Sequence, residues 1–472
     1  MGTGKGKQRI DCRKDDGRGI TQCDLLRRAL NWVLNDKMFA DLQMHGNTKW
    51  TPRHLLALAV LTAWSEGRRM TDTFDKAKKL SQNMFSQVAV HTFQGMMRAL
   101  VTWTVQLLPI LWRRLHELMQ QVGGDHYRIG KWLPLAVDGS RFTTPRTRSN
   151  EQAFSAKDFG KGKKAKSRRK WKNKKKRSKK LCEPVKPQIW LTLIWHMGLK
   201  LPWCWKTGPS TSSERHHFME MLKSQDFPEN TLFCCDAGFV GYELWKSILE
   251  SGHNFLIRVG GNVHLLRNLG HARTGKDIVC LWPNAAARRR QEPVVLRLIT
   301  VQSGQGTMWL VTNVLNERDL STASVKRLYP LRWGVELQFR TAKQTFGRGK
   351  LRSRNSEHAL VELDWSLVAL TMVQLFATRE QIKLDKPPEN ASVSEAIGAI
   401  RYAMDNWHEV ARGQDKLTSR LQAATKDTYA RTSGKTSRYQ SHYKDKPKAT
   451  SPVIAQATHK QRQAYRALQL AS

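Results

Sequence analysis

Acidic residues are scarce in this chain. Its 472 residues carry 39 Asp and Glu against 80 Lys and Arg, a formal net charge of +41. A chain so charged repels itself unless a polyanion is near, which points to nucleic acid as its partner. A ribosomal or packaging protein would share that property. Cysteines are few and odd in number: Cys12, Cys23, Cys182, Cys204, Cys234, Cys235 and Cys280, with no C-x-x-C pair. This argues against a disulfide framework or a zinc ribbon and predicts reduced, mostly buried thiols. Long apolar runs are missing too. The longest, 99–112, holds fourteen residues and contains Gln106 and Pro109, against the ~20 a membrane-spanning helix needs. The N-terminus has no signal-peptide apolar region. The expectation is a cytoplasmic protein with no membrane partner. There is no H-E-x-x-H motif and no internal repeat, and His216-His217 reads as a helix-surface pair. The Gly-Lys-rich start lacks the preceding strand and the spacing of a phosphate loop.

The apolar content that remains is patterned. Residues 20–125 read as helical, with Leu25, Leu26, Ala29, Leu30, Trp32 and Val33 on one face. Thr51-Pro52 caps the next helix with proline at its first position, and a basic turn near Gly67 leads to another over 72–80. That pair reads either as a helix-turn-helix that contacts nucleic acid or as part of a plain bundle. The block 157–180 has fifteen Lys or Arg among its 24 residues. It cannot fold by burial and predicts a disordered loop with salt-sensitive phosphate affinity. Residues 356–382 read as a long buried helix, 392–407 as another, and the chain beyond 425 as a mobile basic tail with one terminal helix.

Two short apolar runs end in aspartate followed by a tight turn. Leu133-Pro134-Leu135-Ala136-Val137 leads into Asp138-Gly139, and Thr231-Leu232-Phe233-Cys234-Cys235 leads into Asp236-Ala237-Gly238. Each predicts a buried strand that delivers a carboxylate at its C-terminal end. Taken alone, each is equally a turn-forming Asp. Strands are expected also at 188–196 and 199–206, joined at Met197-Gly198, and at 254–259. A helix over 212–224 has Thr211 and Glu214 at capping-box spacing, and one over 241–251 stops at Gly252. Further strand-like runs at 278–282, 294–301 and 307–314 follow. Trp282 and Trp309 in them read as sheet-face residues, with stacking on a flipped base as the alternative.

The most informative stretch is 329–343, read as one helix. At ~100° per residue, Arg332, Glu336, Arg340 and Lys343 fall within about a quarter-turn of one another, near Tyr329. Taken alone, this is also what ordinary i,i+4 pairing on an exposed face looks like. The residues Tyr329, Arg332, Glu336 and Lys343 keep the spacing Y-(2)-R-(3)-E-(6)-K. With Asp138 and Asp236 upstream in order, the segment 130–350 resembles the DDE transposases of the insertion-sequence-four type.

That resemblance implies an α/β fold: an RNase H-like mixed sheet flanked by helices, a β-rich insertion before the last catalytic helix, and a helical N-terminal domain. It implies boundaries as follows: a disordered basic N-terminus over 1–19, a helical domain over 20–128 with DNA-end recognition as one of its two readings, and a catalytic domain over 129–384. The basic loop 157–180 and the β-rich insertion 260–320 lie within the last of these, and 385–472 forms a C-terminal helix and mobile tail. Asp138, Asp236 and Glu336 become a catalytic triad. Hard cations want oxygen ligands, so the three carboxylates would hold two Mg²⁺ ions, which Mn²⁺ can replace. Asp138 would bridge them, with Asp236 on one and Glu336 on the other. Arg332 and Lys343 would contact phosphates, Tyr329 the DNA backbone or its own helix, and Arg340 would join the DNA-binding set. The implied partners are transposon ends and target DNA, with a homodimer in the synaptic complex, in a bacterial cytoplasm close to the nucleoid. Two alternatives stay open: a nuclease without strand transfer, and a catalytically inactive DNA-binding descendant. An RNA-binding protein is disfavoured by the lack of an RRM or KH signature.

Overall fold

The computed structural model describes residues 19–44, 48, 50–85, 90–155, 186–270, 275, 277–303, 306–426 and 450–470. The basic N-terminus, the block 157–180 and most of the tail beyond 425 lie outside them. The described chain opens with four helices: α1 (Gln22–Val33), α2 (Pro52–Trp64), α3 (Met70–Phe85) and α4 (Phe93–Gly123). Thr51 caps α2 as its sequence predicts, accepting from the His54 amide with Pro52 at the first turn.

The centre is a mixed sheet. Strand β1 (Leu133–Thr143) pairs antiparallel with β2 (Gln188–His196), and β2 with β3 (Leu201–Gly208). After α5 (Glu214–Ser224), β4 (Thr231–Cys235) returns parallel to β1. After α6 (Tyr242–Glu250), β5 (Asn254–Val259) lies parallel to β4. The order β3-β2-β1-β4-β5 is RNase H-like. These strands form because their apolar residues are buried on both faces, as in β4, where all five residues are buried.

β1 differs from expectation in length. It runs five residues past Asp138, because β2 stays paired with it as far as Thr143↔Gln188. Asp138 is therefore a mid-strand residue. The expected β-rich insertion is present as β6 (His264–Arg267), β7 (Ile278–Leu281), β8 (Val294–Ser303) and β9 (Gly306–Thr312). It continues the core sheet, since β9 pairs antiparallel with β5. Of its tryptophans, Trp309 is a sheet residue, opposite Thr300 and Val259, while Trp282 lies just past β7, buried, and donates to the Gln291 carbonyl.

The helix α7 (Gly334–Arg340) packs against β1, and α8 (Ser356–Ile382) forms the hub of the fold. By length and apolar composition α8 passes as a membrane span, contrary to the expectation drawn from apolar runs, and 94% of its most apolar stretch is buried inside the protein. A helix apolar all round is a core helix when protein surrounds it. Three indole N–H groups fasten it. Trp64 of α2 donates to the Ala369 carbonyl at 2.9 Å, Trp365 donates to Thr104 of α4 at 2.9 Å, and Trp205 of β3 donates to Asp364 at 2.9 Å.

The segment 450–470 packs into the fold: the terminal helix expected within the tail is present, and an unexpected strand precedes it. Strand β10 (Val453–Gln456) pairs parallel with β6 and completes a ten-stranded sheet. Tyr465 of the following helix (His459–Gln469) packs edge-on against Trp282. The five described cysteines, Cys23, Cys204, Cys234, Cys235 and Cys280, are free and buried, as expected.

Trp64 is buried and its indole spans α2 and α8. Trp64→Ala is expected to destabilise the fold by about 3–5 kcal/mol through cavity formation and the lost hydrogen bond. A urea midpoint unchanged from wild type would show that α2 is not seated on α8 in solution.

Candidate active site

Register places the first two carboxylates. The parallel pairing of β1 with β4 runs from Leu133↔Thr231 to Ala136↔Cys234. Two residues further along each chain are Asp138 and Asp236, on the same face by strand alternation. Adjacent strands lie ~4.8 Å apart, so the two carboxylates emerge side by side where β4 ends. Each is steadied by a local amide: Gly139 N–H donates to Asp138 Oδ1 at 2.8 Å, and Gly238 N–H to Asp236 Oδ1 at 2.7 Å.

The segment carrying the third carboxylate is not one regular helix. Tyr329–Trp333 is a 3₁₀ turn, Gly334–Arg340 is α-helical, and Thr341–Thr345 is a π-turn closed by Phe346 N–H donating to the Thr341 carbonyl. The changes of pitch break the predicted quarter-turn cluster. Arg332 reaches Glu336 at 3.3 Å. Lys343 turns toward β1, where its Nζ donates to Ser140 Oγ at 2.6 Å. Arg340 is exposed and lines a separate cleft with Trp333, Leu337 and Lys200. Tyr329 is buried, and its hydroxyl donates to the Cys235 carbonyl at 2.9 Å, one residue before Asp236. It fastens this segment to the end of β4. Gly334 leaves room for close approach to β2, since a Cβ there would sit 2.0 Å from the Trp195 ring.

Arg332 is the electrostatic centre. Burial works against its charge, but Tyr329, Asp236, Asp138 and Glu336 together outweigh it and raise its pKa. Its Nη1 is buried without a hydrogen-bond partner. Asp138 shows the opposite strain. Burial first, then the charges of Asp236 and Glu214, push its carboxyl up to about 7 against the opposing pull of the Gly139 amide and Arg332. Lys343 is lowered by burial and partly restored by Asp138.

Glu214 is a site residue that sequence reading missed. Its spacing from Thr211 suggested a capping box, but the box does not form: Ser213 is the N-cap and makes no side-chain cap bond. The Glu214 carboxylate lies instead between Gly139 and Gly238, and burial and Asp236 raise its pKa. Its neighbour His217 is buried, with Nδ1 3.1 Å from Thr192 Oγ1, so the expected surface histidine pair is divided between surface and core.

Among the described residues, no three His, Cys, Asp or Glu side chains converge tightly enough to hold a metal ion as they stand. The donor chemistry nonetheless fits a hard cation. Asp138 and Asp236 offer in-register oxygens, and Arg332 stands as a positive charge beside them, bonded to Glu336.

A sheet of this strand order, with carboxylates leaving its central parallel strands side by side, defines the RNase H-like class. Within it, the chain belongs to the transposase DDE domain family, which matches residues 133–372. That is a family of nucleotidyl-transfer enzymes that generally use divalent metals. The chain is 26% identical over 278 residues to the transposase InsG for insertion sequence element IS4 of Escherichia coli K12, covering 56% of this chain and 57% of that protein. It is 24% identical over 156 residues to the putative transposase y4zB of Sinorhizobium fredii, covering 32% and 43%. The chain thus spans about half the length of the curated relatives it matches. A cryo-EM structure of a piggyBac transposase synaptic complex with hairpin DNA aligns over 87% of both chains, at 11% identity and a TM-score of 0.38.

The raised Asp138 has a consequence for stability. An acid whose folded pKa lies above its unfolded value destabilises the fold as pH rises between the two. In EDTA, wild type is expected to lose stability relative to Asp138→Asn as pH rises from about 4 to about 7. Parallel denaturation curves for the two proteins across that range would contradict the burial of Asp138 among like charges.

Proposed function

We propose that the chain cleaves DNA strands at the ends of an insertion sequence and joins them to target DNA in a metal-dependent reaction. The observation that carries this reading is the in-register emergence of Asp138 and Asp236 beside the Arg332–Glu336 pair. Two Mg²⁺ ions, or Mn²⁺ in their place, would supply the activation of an oxygen nucleophile and the neutralisation of charge at phosphorus. Asp138, Asp236 and Glu336 would hold them. Arg332, beside these carboxylates, would contact a phosphate of the DNA. Lys343, half-buried between Ser140 and Phe142, presents a second cation to the DNA backbone. Arg340 meets DNA from the neighbouring cleft, outside the carboxylate cluster. Tyr329 acts by holding the helix segment to β4. The partners are the element's ends and target DNA, bound by a homodimer close to the nucleoid. The helices α2 and α3, with the Arg68-Arg69 turn between them, contribute to recognition of the ends within 20–128. The catalytic domain occupies 129–384, with 260–320 as its β-rich insertion.

The test is cleavage of DNA carrying the flanks of the protein's own gene, with Mg²⁺ and with EDTA. Asp138→Asn, Asp236→Asn and Glu336→Gln are each expected to abolish cuts at the element ends and leave DNA binding intact. Lys343→Ala is expected to weaken both activity and end binding. Full cleavage by Glu336→Gln would sink the triad. Tight binding without cleavage by wild type would favour a DNA-binding descendant, and cuts without joined products a nuclease.

A further inference from the structure

Glu214 opens α5, an eleven-residue helix, yet its side chain serves no cap. It reaches out of the helix to the middle of β1 and the turn that follows β4. A Cβ on Gly139 would stand 2.7 Å from Glu214 Oε2, and one on Gly238 would stand 3.5 Å from Oε1. Glycine thus follows Asp138 directly and Asp236 at two residues, at the two places this carboxylate occupies. The indole of Trp190 closes the remaining side of Gly139, with ring atoms 2.9 Å from the same Cβ position. The carboxylate is held in a fitted slot between the middle of β1 and the turn after β4.

Its compensation is only partial: burial together with Asp236 outweighs the charge of Arg215 and the Gly139 amide, which favour the ionised form. Among the described residues no cation pairs with Glu214, and its neighbour Arg215 donates instead to the Val240 carbonyl at 2.8 Å. A helix N-terminus favours an acid at this position. That benefit is available to a solvent-facing carboxylate, and it gives no reason to place the group beside two others. Half-buried like charges repel each other unless a cation joins them. Arg332 is already engaged with Glu336 and lies beside Asp138 and Asp236.

We propose that Glu214 is a fourth carboxylate of the metal site, supplying negative charge and an oxygen acceptor to the cation held by Asp138 and Asp236. This rests on the metal-dependent reading of the site. The chemical class of ligand is a hard divalent cation with its bound water.

The experiment is Mn²⁺ binding to the full chain without DNA, read from the electron paramagnetic resonance of free Mn²⁺. It compares wild type, Glu214→Gln, Glu214→Asp, Asp138→Asn and, on the exposed side of the same helix, Glu220→Gln. Glu214→Gln is expected to weaken Mn²⁺ binding roughly ten-fold or more. Glu214→Asp should recover part of the loss, and Glu220→Gln should bind as wild type does. In EDTA, Glu214→Gln is expected to melt at or above the wild-type temperature, because a repulsion is removed. Melting below it would assign the side chain a structural role and overturn the proposal. Wild-type Mn²⁺ affinity in Glu214→Gln, with affinity lost in Asp138→Asn, would overturn the proposal alone and leave the active-site reading standing. Unchanged affinity in Asp138→Asn would overturn that reading itself.

Discussion

One guanidinium stands against several carboxylates, and the arrangement of the site follows from that imbalance. Arg332 bonds Glu336 and lies beside Asp138 and Asp236, while Glu214 adds a fourth negative group from another helix. Left to themselves these side chains would turn apart into water. They stay because their backbones are fixed by elements whose burial is worth far more than the repulsion. β4 is buried along its whole length, and β1 is buried up to Val137. The sheet holds the charges together, and the strain appears as a carboxyl at Asp138 that gives up its proton reluctantly. A protein in that state gains stability from any cation it admits.

The third side of the site depends on close packing more than on charge. The segment 329–345 changes pitch twice within seventeen residues, from 3₁₀ to α to π. Each change answers a local demand. The first turn lets the Tyr329 hydroxyl reach the Cys235 carbonyl. Gly334 lets the helix lie on Trp195. The π-turn brings Lys343 over Phe142 to Ser140. Departures from α geometry of this kind recur where a side chain must be aimed. Behind the segment, α8 joins the N-terminal helices to β3 through indole hydrogen bonds, so the site, the sheet and the helical layer share one core.

What the sequence revealed divides along physical lines. β4 and β5 are found where their apolar runs predicted them, because a strand buried on both faces writes its burial into its own composition. The Thr51-Pro52 cap is likewise a local bond with a local signature. Asp138 and Asp236 were legible as acids ending apolar runs, and their neighbourhood follows from pairing register. β6 and β10 carried no such signal. His264–Arg267 and Val453–Gln456 are short and partly exposed, and they are strands because each pairs with distant chain. Glu214 was hidden for a related reason. Its spacing from Thr211 fits a common local motif, and only the tertiary position of Gly139 and Gly238 reveals where its carboxylate goes. The single helix predicted over 329–343 failed because uniform periodicity cannot register a turn with an extra residue.

The outer edge of the sheet has a bearing on how the molecule is made. β6 waits for β10, whose residues come nearly two hundred positions later; Asn268 and Gln456, bonded across this seam, are 188 apart. A ribosome that has finished the catalytic strands has therefore not yet delivered the strand that covers β6, at the far edge of the same sheet. During that interval the edge offers unpaired amides and carbonyls to whatever chain is close. Cells translating this message in tandem would keep several such edges near one another, so the yield of native protein should depend on how fast synthesis passes from β6 to β10.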